Sequence, residues 1–412
     1  MMYELAMKDD PGRIRTQARP KGGPALDSSH ASLRHDVHAG QTGRRALTPT
    51  ILIALVLLCG CATRPGSEVL ATVPPAPEAS QVRLYAATTR ERAPEGEANY
   101  TAERARALNL AAFTISIPPG HQPASIEWPQ GMPDAGSSFA VVGQSQLTRA
   151  EFIQEIGAPG TSGGRRNVGI FVHGYNHSFP EALFRLAQIA ADSQTTEPHI
   201  AFSWPSQASV GGYVADKDSV TYSRDYLAEL ITDLAAQPNV GEINIIAHSM
   251  GGWLVMETVR QLRLQGRDAA IDRLNVVLAA PDIDADVFYQ QLQVIGSLRT
   301  PLTVLVSPDD RALRVSQRLS ASRQRLGALD VQDPRVQEVA AETNVQIIDI
   351  SQAGASDGFR HDRYVSLATI MPTGSQDGGA GDIRQAGAFI FNAVGATLST
   401  PFEIAGRVLA GE

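Results

Sequence analysis

The sequence contains only two cysteines among its 412 residues, and both lie near the N-terminus, at Cys59 and Cys61. Beyond position 61 there is none, which excludes a disulfide framework, a cysteine-based zinc site and a thiol nucleophile from the main body of the chain. Its chemistry therefore has to rest on oxygen and nitrogen side chains.

Dense runs of Lys and Arg are also lacking beyond the first fifty residues, and the formal net charge is −8. Nucleic-acid binding depends on neutralising phosphates with basic side chains, so nucleic acid is not expected as a partner. The hydrophobic content of 43% and the charged content of 19% are ordinary for a globular protein that buries a large core.

No apolar run reaches the roughly 20 residues that a membrane-spanning helix needs. The longest near the N-terminus is Ile51 to Leu58, which follows the basic Gly43-Arg44-Arg45 and precedes Cys59-Gly60-Cys61. A basic patch, a short apolar stretch and small residues together predict a secretory signal peptide. The segment from Leu58 to Cys61 also resembles a bacterial lipobox, in which the chain is cut before a cysteine that becomes diacylated.

We therefore expect residues 1–60 to be an extension and signal peptide, Cys61 to carry lipid, and 61–80 to be a mobile Pro-rich linker. Because about forty residues precede the basic patch, translation is expected to start near Val37. Ala62 after the cysteine fits an exported lipoprotein of an outer membrane, facing the periplasm. An uncleaved signal anchor and an N-terminal helix packed in the core remain alternatives.

From residue 167 onward, strands and helices alternate. Val168 to Val172 is apolar without alternation, as expected of a parallel strand that is buried on both faces. The sequence predicts an α/β-hydrolase fold, with a mostly parallel central sheet and helices on both faces, over residues 81–370. Residues 371–412 are read as a Gly-rich tail, in which the apolar residues from Phe389 to Leu398 could form a helix, either docked on the body or touching a membrane.

Predicted elements are short and regularly spaced. Strands are predicted at 81–88, 114–117, 167–172, 199–203, 243–247, 274–279, 302–306 and 345–350. Residues 90–110 and 120–165 are irregular in pattern, and an N-terminal β subregion is predicted there. Helices are predicted at 178–191, 223–235 and 251–264.

Ser249 lies between a predicted strand and a predicted helix, in Ala247-His248-Ser249-Met250-Gly251. Such a sharp turn lifts a hydroxyl above the edge of the sheet, and the small residues two before and two after let the backbone pass. The amide of Met250, at the helix N-terminus, is available to an oxyanion. The pattern predicts a nucleophile, and the alternative is an ordinary helix N-cap serine.

A serine nucleophile needs a base, which in this fold follows the acid along the chain. Of the nine histidines only His361 follows Ser249, in the loop after the last predicted strand. We therefore predict that His361 is the general base, the alternative being a surface histidine.

The acid is expected in the turn after the strand at 302–306, which contains two adjacent aspartates. Its distance from the strand end favours Asp310 over Asp309 as the partner of the histidine. Asp282 and Asp284, which follow the preceding strand, remain in reserve.

The loop His173-Gly174-Tyr175-Asn176 follows the strand at 167–172. Gly174 permits a tight turn, and the amide of Tyr175 is predicted to complete an oxyanion hole with that of Met250. His173 is expected to brace the loop by hydrogen bonds. No metal site is predicted, because His173 and His177 lack a third ligand at suitable spacing. His248 is expected to be a packed neighbour of the nucleophile.

The chain resembles a bacterial family of uncharacterised α/β-hydrolases of esterase- or lipase-like type. The resemblance covers roughly residues 81–370 and rests on six segments. These are Ala87-Thr88-Thr89-Arg90, His-Gly-Tyr-Asn, Phe202-Ser203-Trp204-Pro205-Ser206, Ala-His-Ser-Met-Gly, Ala280-Pro281-Asp282-Ile283-Asp284 and the turn from Ser307 to Leu313. It implies the fold and the triad of Ser249, Asp310 and His361, but no substrate. Trp204 and Tyr222 match positions near the site, where they either shape an acyl site or pack.

These predictions describe a serine hydrolase that cleaves a small-molecule or lipid carboxylic ester through an acyl-enzyme and needs no cofactor. The segment 207–220 is short and polar, which favours an open site. One alternative is an inactive hydrolase-fold lipoprotein that serves as a binding scaffold. Another is an acyltransferase or thioesterase that uses the same triad.

Overall fold

A computed structural model of the chain describes residues 64–94, 99–159, 164–193, 195–319 and 324–367, all within the compact unit Arg64–Glu412. The predicted lipidation site Cys61 and the predicted tail 371–412 lie outside the described residues. The fold class follows from the described residues alone.

One sheet of nine strands runs through the body, in the order β3-β2-β1-β5-β4-β6-β7-β8-β9. The strands are β1 (Ser80–Arg92), β2 (Tyr100–Ile117), β3 (Ala140–Leu147), β4 (Arg166–Val172), β5 (His199–Ser203), β6 (Val240–His248), β7 (Leu274–Ala279), β8 (Leu302–Val306) and β9 (Val345–Asp349). From β1 to β9 every neighbouring pair in this order is parallel, and only β2 and β3 are added in antiparallel fashion. The predicted α/β-hydrolase fold with a mostly parallel sheet is confirmed.

Helices cover both faces of this sheet. They are α1 (Arg149–Ile156), α2 (Phe179–Ser193), α3 (Tyr213–Ala235), α4 (Met250–Leu264), α5 (Asp268–Ile271), α6 (Ala285–Ile295), α7 (Arg311–Leu319), α8 (Pro334–Thr343) and α9 (Tyr364–Leu367). Successive strand residues point to opposite faces, so Ile245 and Ala247 pack with α3 and α4 while Ile246 packs with α2. The two apolar layers explain why the parallel strands read as unbroken apolar runs.

The N-terminal β region is larger than the sequence indicates. β2 begins at Tyr100 rather than at residue 114, and β3 and α1 occupy a stretch predicted to be irregular. The first part of β2 carries exposed polar side chains, including Glu103 and Arg104. It therefore lacks the apolar pattern by which a strand is predicted from sequence. α1 begins with a capping box of Thr148 and Glu151.

Helix α3 also begins earlier than predicted, at Tyr213 rather than at residue 223. Its first turns contain Asp216 and Ser219, which look like surface residues in the sequence but are buried. The Asp216 carboxylate accepts hydrogen bonds from the Ser206 hydroxyl and the Gln207 amide, at 2.6 and 2.7 Å. Hydrogen bonding makes burial of these polar groups tolerable.

Residues 64–80 differ from the predicted mobile linker, because part of this segment packs on the body. A 3-10 helix covers Ser67–Leu70, and its Val69 and Leu70 are buried in the core layer that contains α2. The Val73 amide donates to the carbonyl oxygen of Val141 in β3 at 2.9 Å. Burial of the Val69 and Leu70 side chains therefore attaches this Pro-rich segment to the body.

Within the part of the chain that the structure describes, no helix combines the length and the apolarity needed to cross a bilayer.

Truncating Leu70 tests whether the segment before β1 belongs to the folded body. Leu70 is fully buried, so Leu70→Ala should lower the free energy of unfolding by about 2–5 kcal/mol through lost apolar contact and a cavity. The matched control is Leu264→Ala, at a leucine 59% exposed at the end of α4, which should change it by less than about 0.5 kcal/mol. Urea unfolding of both variants measures the difference, and equal effects would contradict docking of this segment.

Candidate active site

Ser249 connects β6 to α4 in a backbone conformation that side chains other than glycine rarely adopt. Its φ is 53° and its ψ is −121°. Hydrogen bonds hold it on both sides, because its amide donates to the Ala279 carbonyl oxygen at 2.9 Å and its carbonyl oxygen accepts from the Asp282 amide at 3.1 Å. A non-glycine residue at positive φ is strained and persists only where its surroundings enforce it.

The turn at Ser249 depends on close approach of neighbouring backbone. A methyl group on Gly251 would lie 2.5 Å from the carbonyl oxygen of His173, and one on Gly174 would lie 2.9 Å from Cβ of Ser249. Real Cβ atoms do not approach so closely, so both positions require glycine. The loop after β4 is therefore pressed against the turn after β6.

The side chain of Ser249 does not cap the helix that it precedes. Although Ser249 occupies the N-cap position of α4, its hydroxyl accepts no hydrogen bond from the first turn. Ser249 is buried at 4% exposure, yet its hydroxyl has no hydrogen-bond partner among the described residues. An ordinary N-cap serine would use its oxygen to bind an amide of the first turn.

Asp310 and His361 meet beside this turn. Oδ2 of Asp310 lies 2.6 Å from Nδ1 of His361. The ionised carboxylate only accepts, so Nδ1 carries the hydrogen and Nε2 of a neutral ring is left with its lone pair. The ring centroid of His361 lies 4.5 Å from that of His248, the residue directly before Ser249.

The pKa of His361 reflects two opposing effects. Burial lowers it, but the charge and hydrogen bond of Asp310 raise it, and the net result is a pKa above the usual 6.5. The imidazole is 14% exposed and the carboxylate fully buried. A carboxylate held in this way fixes both the tautomer and the orientation of the ring.

The neighbouring Asp309 makes different contacts. It forms ion pairs with Arg360 and Arg363, which lie on either side of His361 and its neighbour Asp362, and these bonds hold its pKa far below the usual range. Ser307 donates to the same carboxylate at 2.7 Å. Asp309 thus ties the loop after β9 to the turn after β8.

The two reserve aspartates after β7 are also engaged elsewhere. Asp282 accepts from the Tyr213 hydroxyl at 3.0 Å and the Ser316 hydroxyl at 2.6 Å, and it pairs with the buried Arg325 at 3.1 Å. Asp284 caps α6 by accepting from two amides of its first turn. Among the described residues neither forms a hydrogen bond with His361, although the charge of Asp282 contributes to raising the pKa of that histidine.

Two backbone amides near Ser249 have no acceptor among the described residues. They belong to Tyr175, in the loop after β4, and to Met250, the first residue of α4. Amides at a helix N-terminus and in an adjacent tight loop are suited to bind a developing negative charge. The Tyr175 hydroxyl donates away from the turn, to the Ser209 carbonyl oxygen at 3.1 Å.

His173 braces this loop from inside the protein. It is fully buried and lies within hydrogen-bond distance of the carbonyl oxygens of Gly174 (2.8 Å) and Trp204 (3.2 Å), and its ring stacks on the indole of Trp204. Burial holds the pKa of His173 well below its usual range, so the ring is neutral. The Trp204 indole donates to the His173 carbonyl oxygen at 2.8 Å, which indicates packing rather than an exposed acyl site.

His248 is a packed neighbour, as expected, with one specific contact. Its Nε2 donates to the carbonyl oxygen of His361 at 3.2 Å, and burial holds the pKa of His248 well below its usual range. Tyr222, the other aromatic residue singled out in the sequence, donates to the Ala105 carbonyl oxygen at 2.6 Å and packs against β2.

Arg90 holds the loops around the turn at Ser249, a role that the sequence did not predict. Fully buried at the end of β1, it donates to the carbonyl oxygens of His177 (2.7 Å) and Ser206 (3.1 Å), which lie in the two loops beside the turn. Burial lowers its pKa to about 9 although Asp216 raises it. The signal in the sequence is its position: an arginine two residues after the predicted strand 81–88 is placed to be buried with that strand.

Among the described residues no group of three His, Cys, Asp or Glu side chains is arranged to hold a metal ion.

Similarity to known proteins is local in sequence and broad in fold. A 63-residue segment is 38% identical to an uncharacterized protein of Nostoc sp. (strain PCC 7120). The segment is 15% of this chain and 16% of that relative, so the match spans far less than two thirds of the relative's length.

Two solved structures of esterases are similar to the chain at 12% identity. One is a fungal esterase of Rhizomucor miehei, with a TM-score of 0.30 over 71% of this chain and 79% of the other. The second is an esterase of Pyrobaculum calidifontis, with a TM-score of 0.31 over 85% of this chain and 94% of the other. Neither similarity carries an argument about this chain.

The family assignment comes from a match over more than half of the chain. Residues 150–376 match the family described as alpha/beta hydrolase of unknown function (DUF900). The matched region contains the strained turn at Ser249, the glycine loop after β4 and the pair of Asp310 and His361. The chain belongs to this family of α/β-hydrolases.

Proposed function

We propose that this α/β-hydrolase is a serine esterase in which Ser249 is the nucleophile, His361 the general base and Asp310 the acid that orients it. Its substrate is a carboxylic ester, which is cleaved through an acyl-enzyme. The observation that carries the proposal is the backbone of Ser249, which is strained at the carboxyl edge of the sheet while its hydroxyl has no hydrogen-bond partner among the described residues. Strain of this kind, at the junction of a strand and a helix, is characteristic of nucleophile turns.

The proposed reaction has two stages, formation and hydrolysis of an acyl-enzyme. Nε2 of His361 removes the proton of Ser249, whose oxygen attacks the ester carbonyl carbon, and the amides of Tyr175 and Met250 bind the resulting oxyanion. The C–O bond to the alcohol then breaks, and the leaving alkoxide takes the proton from His361. A water molecule, deprotonated by His361, attacks the acyl-enzyme and releases the carboxylic acid and free Ser249.

The Ser249→Ala variant should lose ester hydrolysis almost completely, since the acyl-enzyme cannot form. We expect kcat for p-nitrophenyl acetate to fall by about 10⁵-fold or more. A fluorophosphonate probe should label the parent at Ser249 and should not label the variant. Ser137→Ala, in a loop at the opposite edge of the sheet, is the control and should retain full activity and labelling.

Absence of labelling in a folded parent would instead favour the inactive scaffold. Product analysis with added alcohol separates hydrolysis from acyl transfer, because a transferase would form the new ester in preference to the free acid.

The adjacent aspartates provide a matched pair of variants. Asp310→Asn removes the charge that orients His361, so kcat should fall by about 10²- to 10⁴-fold. Asp309→Asn leaves that charge in place and loosens only the loop after β9, so kcat should fall by less than about tenfold while the free energy of unfolding decreases. The reverse order of effects on kcat would assign the acid to Asp309.

The same pair has a pH signature. His361 must be neutral to accept a proton and is protonated below its pKa, so its raised pKa places the acid limb of kcat/KM above pH 6.5 in the parent and in Asp309→Asn. In Asp310→Asn the imidazolium loses its partner, and the limb should move to lower pH. An acid limb that stays fixed in Asp310→Asn would contradict the proposed pair.

We also propose that the chain is exported and anchored by lipid on Cys61, at an outer membrane facing the periplasm. The support is the sequence from the basic patch to Cys61. In a bacterial host, the parent should incorporate radiolabelled palmitate, and Cys61→Ser should not. Cys59→Ser is the control, because it removes the other cysteine and should leave labelling intact.

A further inference from the structure

Among the residues that the structure describes, exposed large apolar side chains are concentrated around the candidate active site. Six of them lie on segments that follow the carboxyl ends of strands, the edge where Ser249 lies: Val210, Val214, Val287, Val315, Leu319 and Phe359. Two others, Met132 and Leu264, lie at the opposite edge, in the loop before β3 and at the end of α4. Scattered exposed apolar residues are ordinary, but a one-sided concentration marks an interaction surface.

Helix α7 carries two of these residues and does not cross the sheet. It begins directly after the turn that follows β8, and the first described residues that come after it, from 324 onward, lie at the same edge. There the Gly327 carbonyl oxygen accepts from the Ser307 amide at 2.8 Å, and the backbone of Arg325 pairs with that of Asp284 in an isolated antiparallel β-bridge. The crossing to β9 is made by α8, so α7 lies along the rim of the site as a short cap.

Helix α7 contacts the segments that carry other exposed apolar residues. The Tyr213 hydroxyl lies 2.9 Å from the Ser316 hydroxyl, which brings the start of α3, with Val214, against α7, with Val315. At the other end, the Arg311 amide donates to the Phe359 carbonyl oxygen at 3.0 Å. We call Val210, Val214, Val315, Leu319 and Phe359 the rim patch.

Helix α7 is also strongly basic. Arg311, Arg314 and Arg318 are exposed, and its nine residues include no acid, although the whole chain has a net charge of −8. Arg311 and Arg314 donate to the carbonyl oxygens of Gly358 and Pro308, and none of the three forms an ion pair among the described residues. Their charges are therefore not neutralised within the described body.

We propose that α7 and the rim patch dock on an anionic lipid bilayer, so that the ester substrate enters the site from the lipid surface. A helix with basic and apolar exposed residues fits such a surface, because arginines bind the anionic headgroups while apolar side chains enter the acyl boundary. Another protein surface would satisfy the apolar residues, but the unpaired positive charge specifically favours an anionic partner. That the docked face delivers substrate rests on the proposed esterase activity, whereas docking itself does not.

Vesicle binding tests the docking directly. Full-length protein with Cys61→Ser, which carries no lipid at that position, is sedimented with vesicles of phosphatidylcholine alone or with 30% phosphatidylglycerol. Adding Arg314→Gln, Arg318→Gln and Leu319→Ser should weaken binding to the anionic vesicles by about 25-fold or more, since each arginine contributes about fivefold. Binding of the parent should fall as salt is raised, because exposed charges are screened.

A matched triple variant at the opposite edge of the sheet serves as the control. Arg165→Gln, Arg267→Gln and Leu264→Ser change the same charge and remove a leucine 59% exposed, compared with 63% for Leu319. This control should bind anionic vesicles as the parent does. Equal loss of binding in the two triple variants, or equal binding of the parent to neutral vesicles, would overturn the proposal.

Activity separates this proposal from the preceding one. On soluble p-nitrophenyl acetate the rim variant should match the parent within about twofold, whereas on a long-chain ester embedded in anionic vesicles it should be at least about tenfold slower. Ser249→Ala should bind vesicles as the parent does. Binding without any hydrolysis would reject the esterase and leave docking intact, and hydrolysis of both esters with equal rates in the rim variant would reject docking.

Discussion

The site depends on one strained residue that its neighbours hold in place. A non-glycine backbone at positive φ costs on the order of 1–3 kcal/mol, so the conformation of Ser249 requires compensation. Two hydrogen bonds supply it: the Ser249 amide donates to Ala279, the last residue of β7, and the Ser249 carbonyl oxygen accepts from the amide of Asp282 in the loop after β7. The position of the hydroxyl, of the Met250 amide and of His248 all follow from this turn. Because β6 and β7 are paired as far as His248 and Ala279, the strained turn begins directly at the edge of the sheet.

The loop after β9 shows how an irregular segment is given a defined geometry. His361 lies on no helix or strand, and its position comes from the turn after β8, where two adjacent carboxylates have separate tasks. Asp309 anchors the loop through Arg360 and Arg363, and Asp310 holds the ring. Burial lowers the pKa of His361, and Asp310 outweighs it with smaller contributions from Asp282 and Asp357.

The sequence predicted those features that have a strong local cause. Unbroken apolar runs identified the parallel strands, and small residues around Ser249 identified the turn, because both patterns are required by packing. Features held by long-range contacts were less visible: the length of β2, the docking of Leu70 and the buried start of α3 all depend on partners far away in the chain. Arg90 is similar, since its partners at 177 and 206 are brought together only by the fold. Spacing was enough to predict that Asp310 rather than Asp309 partners the histidine. The ion pairs of Asp309 could not be predicted, because they depend on how the loop after β9 folds back.

Burial of Arg90 and Asp216 explains why the glycine loop can hold its shape next to the strained turn. Charged groups removed from water are destabilising unless every one of their bonds is made, so a buried guanidinium that donates to two loop carbonyl oxygens fixes those loops in one arrangement. A backbone amide can stabilise an oxyanion only if it need not reorganise during the reaction, and that rigidity is what the buried charges supply. The groups around the strained turn are therefore polar and fixed, while the rim carries exposed apolar and basic side chains. Such a rim fits the proposed docking on an anionic bilayer, from which the proposed ester substrate would enter already oriented.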